Sequence, residues 1–227
     1  MNFLKKMMGT GASALPFTIG KECHSYQGQL FKMHEGTKKS DGEEVSVFTF
    51  EKESAAPSAV QTALHAFQNS SKYRHPFILR YLEGQDMDNQ TVFCTEKVRP
   101  LLDWAEGLEE STRDDEITWG LYCLFNALKF LHEDCKVSHS NIGAHSIFVT
   151  NGGDWKIGGM ALLGDSTDQV HINHLIQAVN FVPTSMLAPE IAGKDWPALR
   201  GAPRHAPDVW GAGAALEAVY ARCRGTT

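Results

Sequence analysis

The 227-residue sequence has no Cys-x-x-Cys pair and no excess of positive charge, and no apolar run in it approaches the roughly 20 residues of a membrane span. Its five cysteines, Cys23, Cys94, Cys123, Cys135 and Cys223, are odd in number and scattered, which argues against a disulfide framework and a zinc site and for a reducing compartment. Lys and Arg total 21 against 27 Asp and Glu, a formal charge of -6, so the surface as a whole does not attract phosphate backbones or anionic lipid. A signal peptide is suggested by Lys5-Lys6 and a small-residue stretch ending Ala12-Ser13-Ala14, but Gly9, Thr10 and Gly11 interrupt the required apolar region. Asn2 excludes an N-terminal myristoyl signal.

What is present is enough to build a core: 42% of residues are hydrophobic and 21% charged, the balance of a globular chain. Up to about residue 100 the pattern reads as strands with one helix, and beyond it the pattern turns mainly helical. Strands are expected at Leu30 to His34 and Val45 to Phe50 around a polar turn through Lys38, Ser40, Asp41 and Gly42, and again at Phe77 to Leu82 and Thr91 to Thr95. Val60, Leu64 and Phe67 mark an amphipathic helix from Ala55 to Ser70. Ile117, Leu121, Leu124, Phe125, Leu128 and Leu131 form an apolar stripe from about Asp114 to His132, behind an acidic first turn that suits a helix N-terminus. Asn151-Gly152-Gly153 between Ile147-Phe148-Val149 and Trp155-Lys156-Ile157 predicts a tight hairpin. A last helix is expected from Ala206 to Arg222, with Val209, Trp210, Leu216 and Val219 facing inward.

That order of elements resembles a protein kinase domain. His75-Pro76-Phe77-Ile78-Leu79 is similar to the family's H-P-N-I-V turn, and Val92 to Glu96 to the strand entering the hinge. His139-Ser140-Asn141 stands where H-R-D belongs and Gly159-Met160-Ala161 where D-F-G belongs, while Ala188-Pro189-Glu190 and Asp208-Val209-Trp210-Gly211-Ala212-Gly213 match A-P-E and D-x-W-x-x-G. The implied fold is α+β and two-lobed: an N-terminal extension over 1–14, a β-rich small lobe over 15–98, and a helical large lobe over 99–227 that is incomplete at its C-terminus. Without the later large-lobe helices, Glu190 is expected to lack its arginine partner.

The same resemblance implies that the chemistry is missing. Phosphoryl transfer rests on a positioned base, metal-holding oxygens and a cation on the phosphates. Here Phe48 takes the place of the phosphate-binding lysine, and Ala66 that of its glutamate partner. Asn141 replaces the catalytic aspartate, and an amide takes no proton at neutral pH, where a general base is worth roughly 10²- to 10⁴-fold. Ser146 replaces the metal-binding asparagine, and Gly159 replaces the aspartate that holds magnesium, a hard cation that requires anionic oxygen. Between Ile19 and Leu30 only Gly20 and Gly28 remain of a glycine-rich loop. His139, Glu190, Asp208, Trp210 and Gly213 are read as architecture, with His139 packed under the catalytic loop and Asp208 accepting its backbone hydrogen bonds. Lys52, Asp154, Asp165 and Asp168 fall into no ordered motif, so no second active site is indicated.

Asn2-Phe3-Leu4, Leu15-Pro16-Phe17-x-Ile19-Gly20, His34 to Lys39, Val47-Phe48-x-Phe50, Thr118-Trp119-Gly120-Leu121 and Trp155-Lys156-Ile157-Gly158-Gly159 resemble the Scy-like, or N-terminal kinase-like, pseudokinases. In that family a kinase-shaped head precedes helical repeats and a basic tail, and members are non-catalytic adaptors in coatomer-dependent Golgi traffic and nuclear tRNA export. The resemblance therefore implies a cytoplasmic, Golgi-associated interaction module with protein partners (coatomer, trafficking or export factors) and no bound cofactor, metal or ATP. The competing reading is an atypical, residual ATP-binding kinase. Direct RNA binding is disfavoured by the net charge and the absence of a dense basic stripe, and His171-x-x-His174 with His132 lacks a metal-ligand constellation.

Overall fold

The computed structural model describes residues 15–26, 28 and 30–225; the expected extension over 1–14, including its Asn2-Phe3-Leu4, lies outside them. Strands β1 (Phe17–Glu22), β2 (Lys32–Lys38), β3 (Glu44–Glu51), β4 (Tyr81–Asp86) and β5 (Gln90–Glu96) form an antiparallel sheet in the order β1-β2-β3-β5-β4. The β2–β3 connection is held by the Lys38 ammonium, 3.2 Å from Asp41 and 2.9 Å from Glu43. Helix α1 (Pro57–Lys72) starts with a proline, whose fixed φ and missing N–H suit the first turn, and buries Ala59, Thr62, Ala63, Ala66 and Asn69.

A second sheet joins β6 (Val98–Pro100), β7 (Ile147–Thr150) and β8 (Trp155–Ile157), with Gly153 at φ 86° closing the expected hairpin. Around it lie α2 (Leu101–Glu106), α3 (Arg113–Lys129), α4 (Gln169–Ala178), α5 (Pro189–Ala192), α6 (Trp196–Gly201) and α7 (Ala206–Cys223). The β-rich and helical parts together make the α+β, two-lobed architecture of a kinase-like fold.

Three local expectations are corrected. The apolar run Phe77 to Leu82 does not form a strand of the large sheet. Leu79 N–H instead donates to Ile157 O and Ile157 N–H to Phe77 O, both at 2.9 Å, which pairs this segment with β8 and delays β4 to Tyr81. Helix α3 is rolled away from Phe125, which is exposed, and only half-buries Leu121. A Cβ at Gly120 would stand 2.1 Å from the Trp155 ring, so the helix approaches the hairpin closely at this glycine; that roll keeps Ile117, Leu124 and Leu128 buried and turns Phe125 outward. In α7, Val209 and Trp210 face solvent rather than the core. The rotation is fixed by Asp208, fully buried among hydrogen bonds, and by Gly211, where a Cβ would lie 2.3 Å from the Ile142 carbonyl oxygen.

Candidate functional site

The cleft between the two sheets, where a kinase holds nucleotide, is filled with aromatic rings. Phe48 on β3 stacks on Phe93 of β5 at 5.1 Å between centroids and 16° between planes, and meets Phe148 of β7 edge-on at 5.5 Å. Tyr26, from the loop after β1, closes the group, 5.9 Å from Phe48 and 5.6 Å from Phe148. The tyrosine reaches in over Gly28: a Cβ there would come within 2.2 Å of its ring. Burial drives the Tyr26 phenol well above its ordinary pKa, so it stays neutral. What remains is a cavity of about 30 Å³, with a second of about 40 Å³ that shares Tyr26 and Ala66 with it, room for a few waters rather than a nucleotide. Phe48, Ala66 and Gly159 all line the first, and none of its described lining residues is charged.

Below the cleft, the loop from Ser138 to Ser146 is wholly buried. Asn141 spends both ends of its amide, donating Nδ2–H to the Gly159 carbonyl and accepting at Oδ1 from His145 Nε2, each at 2.9 Å. Ser146 Oγ donates to Gly143 O and accepts from Gly143 N, both at 3.0 Å, so it closes a turn of its own. Gly159 adopts φ 67°, ψ 42°. His139 Nε2 donates to Gly158 O at 2.8 Å. Asp208 accepts from the N–H of His139 (2.8 Å) and Ser140 (2.7 Å) and from His132 Nε2 (2.7 Å). Burial lowers the pKa of His139 and takes that of His145 to about 4, which keeps both neutral.

The other carboxylates are engaged separately. Asp86 pairs with Lys52 at 2.7 Å, Asp154 accepts the Trp119 indole at 3.0 Å, and Asp168 caps α4 through Val170 N–H. Asp165 is held below the usual carboxylate range by the Thr167 N–H and by Arg204. Among the described residues no group of three His, Cys, Asp or Glu could hold a metal ion, and no helix is long and apolar enough to cross a membrane.

A probable inactive serine/threonine-protein kinase scy1 of Dictyostelium discoideum is 32% identical over 96% of this chain and 27% of its own length. This chain belongs to the Scy-like family of kinase-like proteins. A mouse protein named for associating with the carboxyl-terminal domain of ezrin is 30% identical over 93% of the chain and 27% of itself. Human SCY1-like protein 2 is 29% identical over 67% of the chain and 19% of itself. The Scy-like chain thus spans about a quarter of these relatives' lengths. No family model matches it.

In this Scy-like chain the residues present do not fit ATP with magnesium. A nucleotide site takes hundreds of Å³, an order of magnitude more than the space left. No side-chain oxygen exists at Gly159, and the amide of Asn141 is already satisfied on both sides. Phe48, Ala66 and Gly159 come together at the cleft, with Asn141 and Ser146 directly beneath. Glu190 and Trp210 lie apart from them, and Glu190, half-buried, has no ion-pair partner among the described residues. Sequence reasoning missed the partners of Phe48, namely Tyr26, Phe93 and Phe148, and the role of His145. The available signal was an aromatic at each of four cleft-facing positions.

Proposed function

We propose that this chain is a catalytically inactive, kinase-shaped interaction module that acts as an adaptor. The observation that carries this reading is the aromatic plug of Tyr26, Phe48, Phe93 and Phe148 in the nucleotide cleft. A cleft occupied by the chain's own rings offers shape for recognition and little room for turnover. The relatives' names support it: one is called probably inactive, and another is named for associating with a protein domain. By the family resemblance, the partners are coatomer, trafficking or tRNA-export proteins on the cytoplasmic face of the Golgi, with no direct contact to RNA.

The test is a thermal melt with millimolar ATP, with and without magnesium. A ligand at 100-fold over its Kd adds about 2.7 kcal/mol of stability, so even modest binding raises the melting temperature. The expected result is no shift. A magnesium-dependent rise would overturn the proposal in favour of a residual ATP-binding kinase.

A further inference from the structure

Away from the filled cleft lies an open cavity of about 570 Å³, within the range of sites that hold ligands. It lies between the α1–β4 connection, the end of β5 and the β7–β8 hairpin. Tyr73, Pro76 and Phe77 supply apolar wall, and Arg74, Arg80 and Lys156 supply cations. The aromatic surface continues beyond the rim onto α3. Phe77 stands edge-on to Trp119 and to Tyr122, each at 6.2 Å, and these two rings stack on each other at 5.2 Å. Trp119 is 44% exposed and Tyr122 55%, an unusual outlay of large rings on a water-facing helix.

The charges in this groove are unevenly committed. Asp154 already accepts the Trp119 indole, and Glu96 accepts the Arg80 backbone N–H at 2.9 Å. The cations have donors to spare. The nearly buried Lys156 ammonium gives one hydrogen bond, to Pro76 O at 2.5 Å, with Glu96 no closer than 3.8 Å. Arg74 spends one N–H on Tyr81 O, and Arg80 has only a 4.0 Å approach to Glu43. The groove's own lining thus carries three cations against two carboxylates, a surplus of one positive charge, with Glu43 reaching Arg80 from outside it. Arginine beside tyrosine and tryptophan is the composition of protein recognition surfaces.

We propose that this groove docks a short peptide segment of a protein partner, in which an acidic side chain meets Arg80 and Lys156 while a neighbouring aromatic or aliphatic side chain lies on the shelf of Phe77, Trp119 and Tyr122. A surplus of one positive charge suits a single acidic side chain and not the serial charges of a phosphate backbone. The groove is separate from the nucleotide cleft, so the fate of the ATP test does not decide it.

The experiment is a selection of displayed random peptides of about 12 residues on the full chain, a length suited to grooves of this kind. The consensus peptide is then synthesised with a fluorescent label and its affinity measured by anisotropy. The expected consensus pairs Asp or Glu with an aromatic or aliphatic residue. Arg80→Glu and Tyr122→Ala, both at exposed positions, should each weaken binding by about tenfold without shifting the melting temperature. A peptide with its acidic residue changed to lysine should regain affinity for Arg80→Glu, which a merely unfolded variant would not allow. Failure to enrich any consensus, a basic consensus, or affinity indifferent to Arg80→Glu overturns the proposal. So does displacement of the peptide by oligouridylate, which would assign the groove to nucleic acid.

Discussion

A Cβ placed on Gly159 would stand 2.8 Å from the Cβ of Ser146, closer than side chains approach one another. With φ at 67°, the position is also one that L-residues avoid, at about 1–2 kcal/mol. Restoring an aspartate here therefore works against the fold. Gly159→Asp is expected to destabilise the chain by at least about 1–2 kcal/mol in urea unfolding. Gly159→Ala should cost less in a Ser146→Gly background than in the parent, because the overlap is then gone while the backbone strain remains.

Asn141→Asp is expected to fail on similar grounds. The Nδ2 donor to the Gly159 carbonyl would become an oxygen facing an oxygen at 2.9 Å. Losing that bond in a buried site costs about 1–3 kcal/mol. The variant should melt lower and transfer no phosphate from ATP. Detectable transfer, read with radiolabelled nucleotide, would show that the metal ligands lie elsewhere.

The plug predicts a graded series at one position. Phe48→Ala opens a void among Tyr26, Phe93 and Phe148 and should cost about 3–5 kcal/mol. Phe48→Lys places an ammonium in an uncharged cavity with no partner, so it should be at least as destabilising without gaining affinity for ATP. Denaturant midpoints for the two variants, measured beside nucleotide melts, check both statements.

Much of this organisation was legible in the sequence. The β7–β8 hairpin was, because Asn151-Gly152-Gly153 has a local turn chemistry that needs no tertiary help. Phe77 to Leu82 was not, because an apolar run states that it is buried and not which strand it pairs with. Phe48 was visible as a lost lysine, yet its role as a packing residue depends on Tyr26 crossing Gly28, a contact that no periodicity records. Likewise, Trp210 matched a motif, but its outward direction follows from Asp208 and Gly211 fixing how α7 is turned.

Acid should destabilise the chain before its carboxylates titrate. Burial takes the pKa of both His145 and His171 to about 4, while the unfolded chain holds histidine near 6.5. Folded pKa values lie below unfolded ones, so the unfolded state binds the extra protons. Stability is complete above pH 6.5 and is lost as pH falls toward 4, by roughly 3 kcal/mol for each residue. Unfolding free energies measured across that window should fall steeply, and His171→Asn should make the slope shallower without removing it, because His139 and His65 are also held below their ordinary pKa by burial.

Asp208 gives a further expectation for stability. Asp208→Ala would orphan the N–H groups of His139 and Ser140, two buried donors at about 1–3 kcal/mol each. The loss should appear as accelerated amide exchange over residues 138–146, read by mass spectrometry.

Tyr26 and Phe48 come from one lobe and Phe148 from the other, so the rings bridge what in an enzyme of this shape is a moving joint. Prising the three apart would return apolar rings to water at about 1.5–3 kcal/mol each, which leaves fewer than about one molecule in a thousand open. The joint has become a weld. A partner that reads both lobes at once therefore meets a single fixed outline, whatever the nucleotide level around it.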